Sequence, residues 1–411
     1  MKHLFETLQE RGYVYQATHE DEIKAILNSD RPVTFYLGID PTADSLHIGH
    51  FFALMAFRYL QDAGHKGVLL IGGATAMVGD PSGKSDMRTM MTRERVEHNL
   101  NEVRTLAQRF IKTDGDNPAI IVNNADWMRG YDYIDFLRDI GIHFNVNTML
   151  QAEAYANRIA EGGLTYMEMG YMLMQAYDFI HLNREYGCTL QIGGSDQWGN
   201  IVAGVNLGRK LAFAAGEERP PLYGLTTPLL MTADGNKMGK TEKGTLWVAS
   251  DRTTTFDFFQ YFYNVKDEDT EQLLKLFTRM PLSEIESLLQ NIVEAKRVMA
   301  FEITKLVHGE EEAQKALDTA KALFSGGSTA DAPTYEVSFP AEGLPLVDLL
   351  VDSGLIKSKS EARRMIEQGG VSIDGDKIED TAFVVLPSRM ANASEWILRA
   401  GKKRFCKIVQ K

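Results

Sequence analysis

The sequence has few cysteines and no long apolar run. Its two cysteines, Cys188 and Cys406, lie far apart in a chain of 411 residues, so neither a disulfide framework nor a cysteine zinc site is predicted. The first fifteen residues carry charges throughout and hold no apolar core, which argues against a signal peptide. No run approaches the length that crosses a bilayer. These absences predict a cytoplasmic protein without a membrane partner.

The chain also lacks an overall positive charge. It has 44 Lys and Arg against 56 Asp and Glu, a net charge of −12, which argues against a generally basic nucleic-acid binder. Residues 344–411 differ, because they hold 12 Lys and Arg against 9 Asp and Glu, a net of +3 beside −15 for the rest. A mildly basic tail on an acidic body is compatible with local RNA contact.

Residues 33–60 predict a strand, a turn and a helix in that order. Residues 33–39 are apolar and rich in β-formers, a turn follows at 40–42, and apolar residues then recur at helical spacing. His47 and His50 share one face of the first helical turn, where free N–H groups favour a phosphate. They could equally be solvated histidines or half of a zinc site, although no further Cys or His lies nearby.

Three more apolar runs predict strands of a parallel sheet. They lie at residues 67–73, 119–122 and 189–192, and long helical stretches separate them. A parallel sheet of this kind is covered by helices on both faces and carries its site at the carboxyl ends of the strands. The first 30 residues are predicted to be amphipathic helix.

A glycine-containing loop follows the run at 67–73. Residues 79–85 look like a phosphate-binding P-loop, but Val78 stands where that pattern needs glycine, so the spacing is one residue short. The alternative is a strand-end loop in which Asp80 faces a cationic group while Lys84 and Arg88, four residues apart, face phosphate.

A nearly all-apolar helix is predicted at residues 168–182. Tyr171, Gln175 and Asp178 form one polar stripe along it. Because buried polar groups need partners, the stripe either faces a ligand or is the solvated face of the helix.

The strand at 189–192 leads into a second glycine-rich turn. Asp196 in this turn suits a ribose diol, and Gln191 and Gln197 could contact polar groups of a substrate. The same string could be no more than a tight turn.

The C-terminal half predicts further helices and a small mixed domain. Residues 253–323 have helical spacing, and a Gly/Ser-rich linker follows. Short helices at 346–352 and 360–367 and a hairpin at 371–378 come next. We therefore predict domains at 1–247, 248–324 and 344–411, with a linker at 325–343. Arg209 and Lys210 could be a solvated helix end or an RNA contact. Arg363, Arg364, Lys402 and Lys403 supply positive charge in the C-terminal part, either as solvated residues of a small capping domain or as candidate RNA contacts.

Several strings resemble one family. Asp40-Pro41-Thr42 followed by Leu46-His47-Ile48-Gly49-His50 resembles the signature of aminoacyl-tRNA synthetases built on a nucleotide-binding fold. Residues 36–47, YLGIDPTADSLH, look more narrowly like the bacterial tyrosyl-tRNA synthetases, in which the string GDPSGK also recurs.

Two later strings extend the resemblance over the whole chain. Residues 237–241, KMGKT, resemble the second signature of these synthetases, KMSKS, with Gly239 and Thr241 in place of two serines. Residues 360–371 resemble the αL RNA-binding module that ribosomal proteins share. The implied fold is an α/β Rossmann-like parallel sheet, then a helical domain and a small α+β RNA-binding domain.

The resemblance implies an activity and a role for each matching position. It implies a homodimer that makes tyrosyl-AMP from L-tyrosine and ATP, accompanied by Mg²⁺ without a dedicated metal site, and then charges tRNA(Tyr). The implied tyrosine-binding residues are Tyr36, Asp80, Tyr171, Gln175, Asp178, Gln191 and Gln197. The implied ATP-binding residues are Gly38, Asp40, Gly49, Gly194, Asp196 and Lys240. The implied catalytic residues, which stabilise the phosphates, are Thr42, His47, His50, Lys84, Arg88, Lys237, Lys240 and Thr241.

Two alternatives remain at this level. One is a tryptophan-specific synthetase of the same fold, and the other is a non-catalytic RNA-binding protein that kept the scaffold.

Overall fold

The predicted parallel sheet is present at the centre of the first half of the chain. The computed structural model describes residues 3–82, 91–218, 220–241, 244–325, 334–340, 342–386, 395–401 and 404–410. Six strands have the order β1-β6-β5-β2-β3-β4, and all neighbours are parallel except β1 and β6. The strands are β1 (Gln16–Ala17), β2 (Thr34–Ile39), β3 (Lys66–Ile71), β4 (Ile120–Asn123), β5 (Cys188–Gly194) and β6 (Tyr223–Thr227).

Strand β2 lies at the point where the strand order reverses. The chain proceeds from β2 through β3 to β4 on one side, and β5 and β6 lie on the other. Tyr36 on β2 therefore pairs with Val68 on β3 and with Gln191 on β5. Ligands of such sheets bind beyond the carboxyl ends of the strands at this reversal, which here is the segment after Ile39.

Helices surround the sheet. Helix α3 begins where the helical spacing predicts, and α10 begins with a capping box between Thr165 and Glu168 and ends at Gly187 in the left-handed conformation. The helices up to the second signature are α1 (Leu4–Arg11), α2 (Glu20–Leu27), α3 (Ile48–Asp62), α4 (Thr75–Val78), α5 (Arg93–Ala107), α6 (Ala125–Met128), α7 (Tyr133–Asp139), α8 (Val146–Met149), α9 (Glu153–Glu161), α10 (Tyr166–Tyr186) and α11 (Trp198–Ala215).

The N-terminal segment is not helical throughout. Gly12 adopts φ 89° and ends α1, and the next residues extend so that β1 pairs with β6 before α2 begins. The prediction of amphipathic helix over residues 1–30 is therefore wrong for residues 12–19 and 28–30. Helical spacing cannot show that an intervening pair of residues completes a sheet edge.

Contacts divide the described residues into two compact units. The first lies within Met1–Thr253 and Val265–Met299, and the second within Thr254–Asn264 and Ala300–Lys411. The middle part of the chain contains β7 (Lys240–Thr241), β8 (Gly244–Thr245), α12 (Thr255–Tyr263), α13 (Asp267–Phe277), α14 (Leu282–Leu288), α15 (Ile292–His308) and α16 (Glu310–Ser325).

The C-terminal part contains the predicted short helices and hairpin. Its five-stranded sheet has the order β12-β11-β14-β15-β9, and Asp374 and Gly375, both at positive φ, form the turn between β11 and β12. Its elements are β9 (Thr334–Val337), β10 (Leu344–Pro345), α17 (Leu346–Asp352), α18 (Lys359–Glu367), β11 (Val371–Ile373), β12 (Asp376–Ile378), β13 (Val384–Val385), β14 (Glu395–Ala400) and β15 (Arg404–Gln410).

Among the described residues, none of the helices is both long enough and apolar enough to cross a membrane.

Candidate active site

Asp40 lies directly after β2 and joins three elements. Its Oδ1 accepts a hydrogen bond from the Thr75 hydroxyl at 2.7 Å, and its Oδ2 accepts one from the Tyr171 hydroxyl at 2.9 Å. Thr75 begins α4 and Tyr171 belongs to α10. The carboxylate is therefore held in one orientation at the edge of the sheet where the site is expected.

Asp178 is the most buried carboxylate of this region, with 1% of its surface exposed. It accepts hydrogen bonds from Asn124 Nδ2 at 3.0 Å and from Trp127 Nε1 at 2.8 Å. Burial raises the pKa of Asp178 to about 8, although both hydrogen bonds lower it. Tyr171 and Asp178 are both buried, so the polar stripe of α10 is not a solvated face.

Two buried polar side chains, Tyr36 on β2 and Gln191 on β5, pair as neighbours in the sheet. The Tyr36 hydroxyl and Gln191 Oε1 are buried and have no hydrogen-bond partner within the part of the chain that the structure describes. Burial raises the pKa of Tyr36, and the charge of Asp178 raises it further. An unpaired buried hydroxyl is costly, so Tyr36 and Asp178 together suit a ligand that both donates and accepts a hydrogen bond.

Asn124 and Trp127 were missed in the sequence. They follow β4, whose carboxyl end lies at the same sheet edge as that of β2, so a polar string after an apolar run was the available signal. Their partner Asp178 is more than fifty residues away in the chain, and nothing in the local spacing indicates the contact.

The pKa of Asp178 predicts how stability changes with pH. The folded pKa of about 8 lies above the ordinary value near 4, so the folded state binds more protons between these values. We expect the free energy of unfolding of the unliganded protein to fall as pH rises from 5 to 8, and to fall less steeply in Asp178→Asn. Urea denaturation at several pH values measures both slopes, and equal slopes would contradict the assignment.

Asp80 and Gln197 form a second polar contact. Gln197 Nε2 donates to Asp80 at 2.6 Å, and the Ser82 backbone N–H donates to the same carboxylate at 2.9 Å. Burial raises the pKa of Asp80, and these hydrogen bonds oppose the shift. Gln197 lies in the turn after β5. The predicted site residues Asp80 and Gln197, which are far apart in the chain, are therefore in contact.

His47 and His50 are part of the helix cap. His47 Nδ1 accepts the backbone N–H groups of Gly49 at 3.1 Å and of His50 at 3.3 Å, while His50 Nδ1 accepts the N–H of His47 at 3.4 Å. The two rings stack with centroids 3.7 Å apart. Two of the N–H groups expected to face an anion are therefore bonded within the cap. In the neutral rings the proton must then lie on Nε2, which makes each ring an Nε2–H donor.

The two signature segments are adjacent. Val248 N donates to the Leu46 carbonyl at 2.8 Å, and Ile48 N donates to the Leu246 carbonyl at 3.3 Å. Leu246 N in turn donates to the Gly239 carbonyl at 2.7 Å. The loop that carries the second signature thus returns along the first residues of α3.

Gly239 is required by two features of this contact. Its φ is 85°, and a methyl group on its Cα would lie 2.3 Å from Ile48 Cγ2. We expect Gly239→Ala to lower kcat for the reaction proposed below by about tenfold, since of order 1–3 kcal/mol of strain must be relieved by moving the loop. Gly235, also at positive φ but without a neighbour within 4 Å, gives the matched control Gly235→Ala, which should change kcat less.

The remaining predicted residues are distributed around this edge. Gly38 is on β2, Gly194 ends β5 and would place a Cβ 2.4 Å from Asp196 Oδ1, and Lys237 is exposed. Thr42 and Gln175 are partly buried. Lys84 and Arg88 lie outside the described residues, as do the side chains of Lys240 and Thr241.

The candidate RNA-contacting residues differ in their surroundings. The Lys210 amine donates to the His143 carbonyl at 2.5 Å, beside a cavity of about 740 Å³ that Asp196 and Trp198 also line. Arg209, Arg363 and Arg364 are exposed, and Lys402 and Lys403 lie outside the described residues. No group of three or more His, Cys, Asp or Glu that could hold a metal ion occurs in the described ranges.

Comparisons with known proteins show the family to which the chain belongs. Residues 28–325 match the family model of class I tRNA synthetases (W and Y), and residues 326–408 match the tyrosine–tRNA ligase C-terminal domain. The chain is 49% identical over 416 residues to a tyrosine–tRNA ligase of Clostridium kluyveri, with all of both chains covered, and 48% identical to that of Fusobacterium nucleatum, covering 100% of this chain and 99% of the relative.

Solved structures give the same result for the fold. A C-terminally truncated mitochondrial tyrosyl-tRNA synthetase of Aspergillus nidulans is similar with a TM-score of 0.69 at 28% identity, covering 79% of this chain and 94% of the other. The resemblance indicated by the motifs is confirmed, and so is the predicted fold class. The chain belongs to the tyrosine–tRNA ligases, class I aminoacyl-tRNA synthetases that share the parallel sheet described above.

Proposed function

We propose that this chain activates L-tyrosine with ATP, giving tyrosyl-AMP and pyrophosphate, and then transfers tyrosine to the 3′ end of tRNA(Tyr) in the cytoplasm. The observation that supports this most is the pairing of a buried Asp178, held by two donors, with the buried and unpaired hydroxyl of Tyr36. A para-hydroxyl on an aromatic ring would donate to Asp178 and accept from Tyr36. An indole ring offers no such pair of functions at one atom.

The amino-acid group of tyrosine fits the polar contacts next to this pair. Asp80, Tyr171 and Gln175 would bind the α-ammonium, with Gln197 fixing Asp80 through its 2.6 Å hydrogen bond. Gln191, on the strand beside Tyr36, would contact polar groups of the same substrate.

ATP would bind across the reversal of strand order. The backbone at Gly38, Gly49 and Gly194 would allow close approach, Asp40 and Asp196 would hold the adenosine, and Lys240 would contact the nucleotide. The proposed phosphate-stabilising residues are Thr42, His47, His50, Lys84, Arg88, Lys237, Lys240 and Thr241. Mg²⁺ would accompany the phosphates and supply positive charge. The carboxylates of Asp40 and Asp80 already accept hydrogen bonds from side chains of this protein.

Activation needs no protein nucleophile. An oxygen of the ionised tyrosine carboxylate attacks the α-phosphorus of ATP and forms an oxygen–phosphorus bond. The bond from the α-phosphorus to the oxygen that bridges to the β-phosphorus breaks, and pyrophosphate leaves with that electron pair. The Nε2–H donors of His47 and His50 and the ammonium of Lys237 would stabilise the negative charge that develops.

The transfer step needs tRNA, and we propose that Arg209, Lys210, Arg363, Arg364, Lys402 and Lys403 contact it. The proposed domains are residues 1–247, 248–324 and 344–411, joined at 325–343. A homodimer is supported by exposed apolar residues on and after α7, where Tyr133, Ile134 and Ile142 are each more than half exposed.

Amino-acid-dependent ATP–pyrophosphate exchange tests the proposal. We expect exchange with tyrosine and little with phenylalanine or tryptophan, followed by charging of one fraction of total tRNA. Exchange that depends on tryptophan would favour the other specificity, and no exchange with any amino acid would favour a non-catalytic RNA-binding protein.

A further inference from the structure

Helix α13 contacts the first signature at its C-terminal end. Phe277 stacks on Phe51 of α3 with ring centroids 5.3 Å apart and planes within 8°. The buried Arg11 side chain donates hydrogen bonds to three carbonyl oxygens at this end of the helix, those of Lys275, Thr278 and Met280. This end of α13 is therefore packed against α3, whose N-cap is His47, through Phe277, and is hydrogen-bonded to α1 through Arg11.

The N-terminal end of the same helix contacts the turn that precedes the second signature. Asp269, with 3% of its surface exposed, accepts the backbone N–H of Ala233 at 2.6 Å. Ala233 belongs to the turn at 232–236, which is closed by Thr232 N donating to the Asn236 carbonyl and immediately precedes Lys237.

The direction of this hydrogen bond is informative. An acidic residue in the first turn of a helix ordinarily stabilises that helix's own N–H groups. Asp269 instead reaches outside α13 to a backbone group of the loop. A buried carboxylate has a large desolvation cost, so an N–H at this position strongly favours one placement of the loop.

We propose that Asp269 is a positioning residue for the activation step. It holds the turn before Lys237 at a fixed place relative to α3, with the rigid α13 connecting the two, about 12 Å from Asp269 to Phe277 along the helix axis. This inference rests on the proposed function of Lys237 and of the histidines. Asp269 itself contacts no substrate.

The first test is Asp269→Ala in the full-length protein. We expect kcat for tyrosine-dependent ATP–pyrophosphate exchange to fall about tenfold, because the Ala233 N–H loses its acceptor and the loop its fixed position. The dissociation constant for tyrosine, measured by fluorescence titration without ATP, should stay within about twofold, since Asp269 lies at the loop and not at the tyrosine pocket. An unchanged kcat would overturn the proposal.

Two controls separate positioning from general stability. Asp269→Asn keeps an oxygen acceptor for Ala233 N and should recover most of the rate. Thr270→Val removes the neighbouring buried hydroxyl, whose hydrogen bond to the Lys266 carbonyl lies within α13, and should lower the thermal midpoint without lowering kcat. A rate loss in Thr270→Val equal to that in Asp269→Ala would show a structural effect only and refute positioning.

The same hydrogen bond can be removed at its donor, the Ala233 backbone N–H. Ala233→Pro lacks the N–H and should reproduce the loss of kcat, which also decides the question if Asp269→Ala does not fold. The double variant should be no slower than either single one, because both remove the same bond. If the two rate losses multiplied in the double variant, the proposal would be wrong. Absence of exchange in the unmodified protein would count against the proposed function instead.

Discussion

Asp178→Ala should lower kcat/KM for tyrosine activation by about 100-fold and leave the value for phenylalanine nearly unchanged. The carboxylate is buried, and its two donors Asn124 and Trp127 remain behind without an acceptor when it is removed. Leaving a buried hydrogen-bonding group without its partner costs about 1–3 kcal/mol, and only a substrate with a para-hydroxyl supplies this hydrogen bond. Steady-state pyrophosphate exchange with both amino acids measures the ratio.

Two variants test whether the loss belongs to this pocket. Asp139→Ala removes an exposed carboxylate that accepts the Tyr131 hydroxyl, and the selectivity should stay the same. Trp127→Phe keeps Asp178 but removes one donor, so a smaller loss of about tenfold is expected for tyrosine. If Asp178→Ala preserved the full preference for tyrosine, the assignment of Asp178 to the phenolic hydroxyl would be wrong.

Lys237→Ala should slow tyrosyl-AMP formation by about 100- to 1000-fold while tyrosine binds as before. The lysine is exposed on the loop that returns along the first turn of α3, so its ammonium can meet the charge that develops on the departing pyrophosphate. Losing one preorganised donor of this kind costs about 2.7–4 kcal/mol at the transition state. From its place in the signature, Lys240→Ala should behave in the same way.

Single-turnover kinetics separate this step from binding. The rate constant for activation should fall and the dissociation constant for tyrosine should not. Lys24→Ala is a suitable control, because this exposed lysine pairs with Glu6 on another segment and should leave activation unchanged. Equal rate constants in Lys237→Ala and the unmodified protein would remove Lys237 from the mechanism.

The parallel sheet could be predicted because its inner strands are largely buried. Uninterrupted apolar runs such as residues 67–73 have no other simple explanation in a chain of this composition. The stripe on α10 could be recognised for a related reason: Tyr171 and Asp178 are polar in a helix that is otherwise apolar, and both prove to be buried.

Contacts between distant segments could not be predicted. The two donors to Asp178, the acceptor that Asp269 offers to Ala233 and the hydrogen bonds from Arg11 to α13 all join residues more than thirty apart in the chain. The role of His47 in the helix cap was missed for another reason. An imidazole nitrogen can serve a ligand or the backbone, and residue spacing does not distinguish the two.

The strand order has a consequence during synthesis on the ribosome. Strand β2 is central in the finished sheet, yet its neighbour β5 is made about 150 residues later. Until then a nascent chain with β2, β3 and β4 exposes one unpaired side of β2, an apolar edge that can associate with other nascent chains. Tyr36, Asp40 and the residues after β5 come together only once both halves have been made, so a prematurely terminated chain would hold one side of the pocket and bear the aggregation risk of that edge.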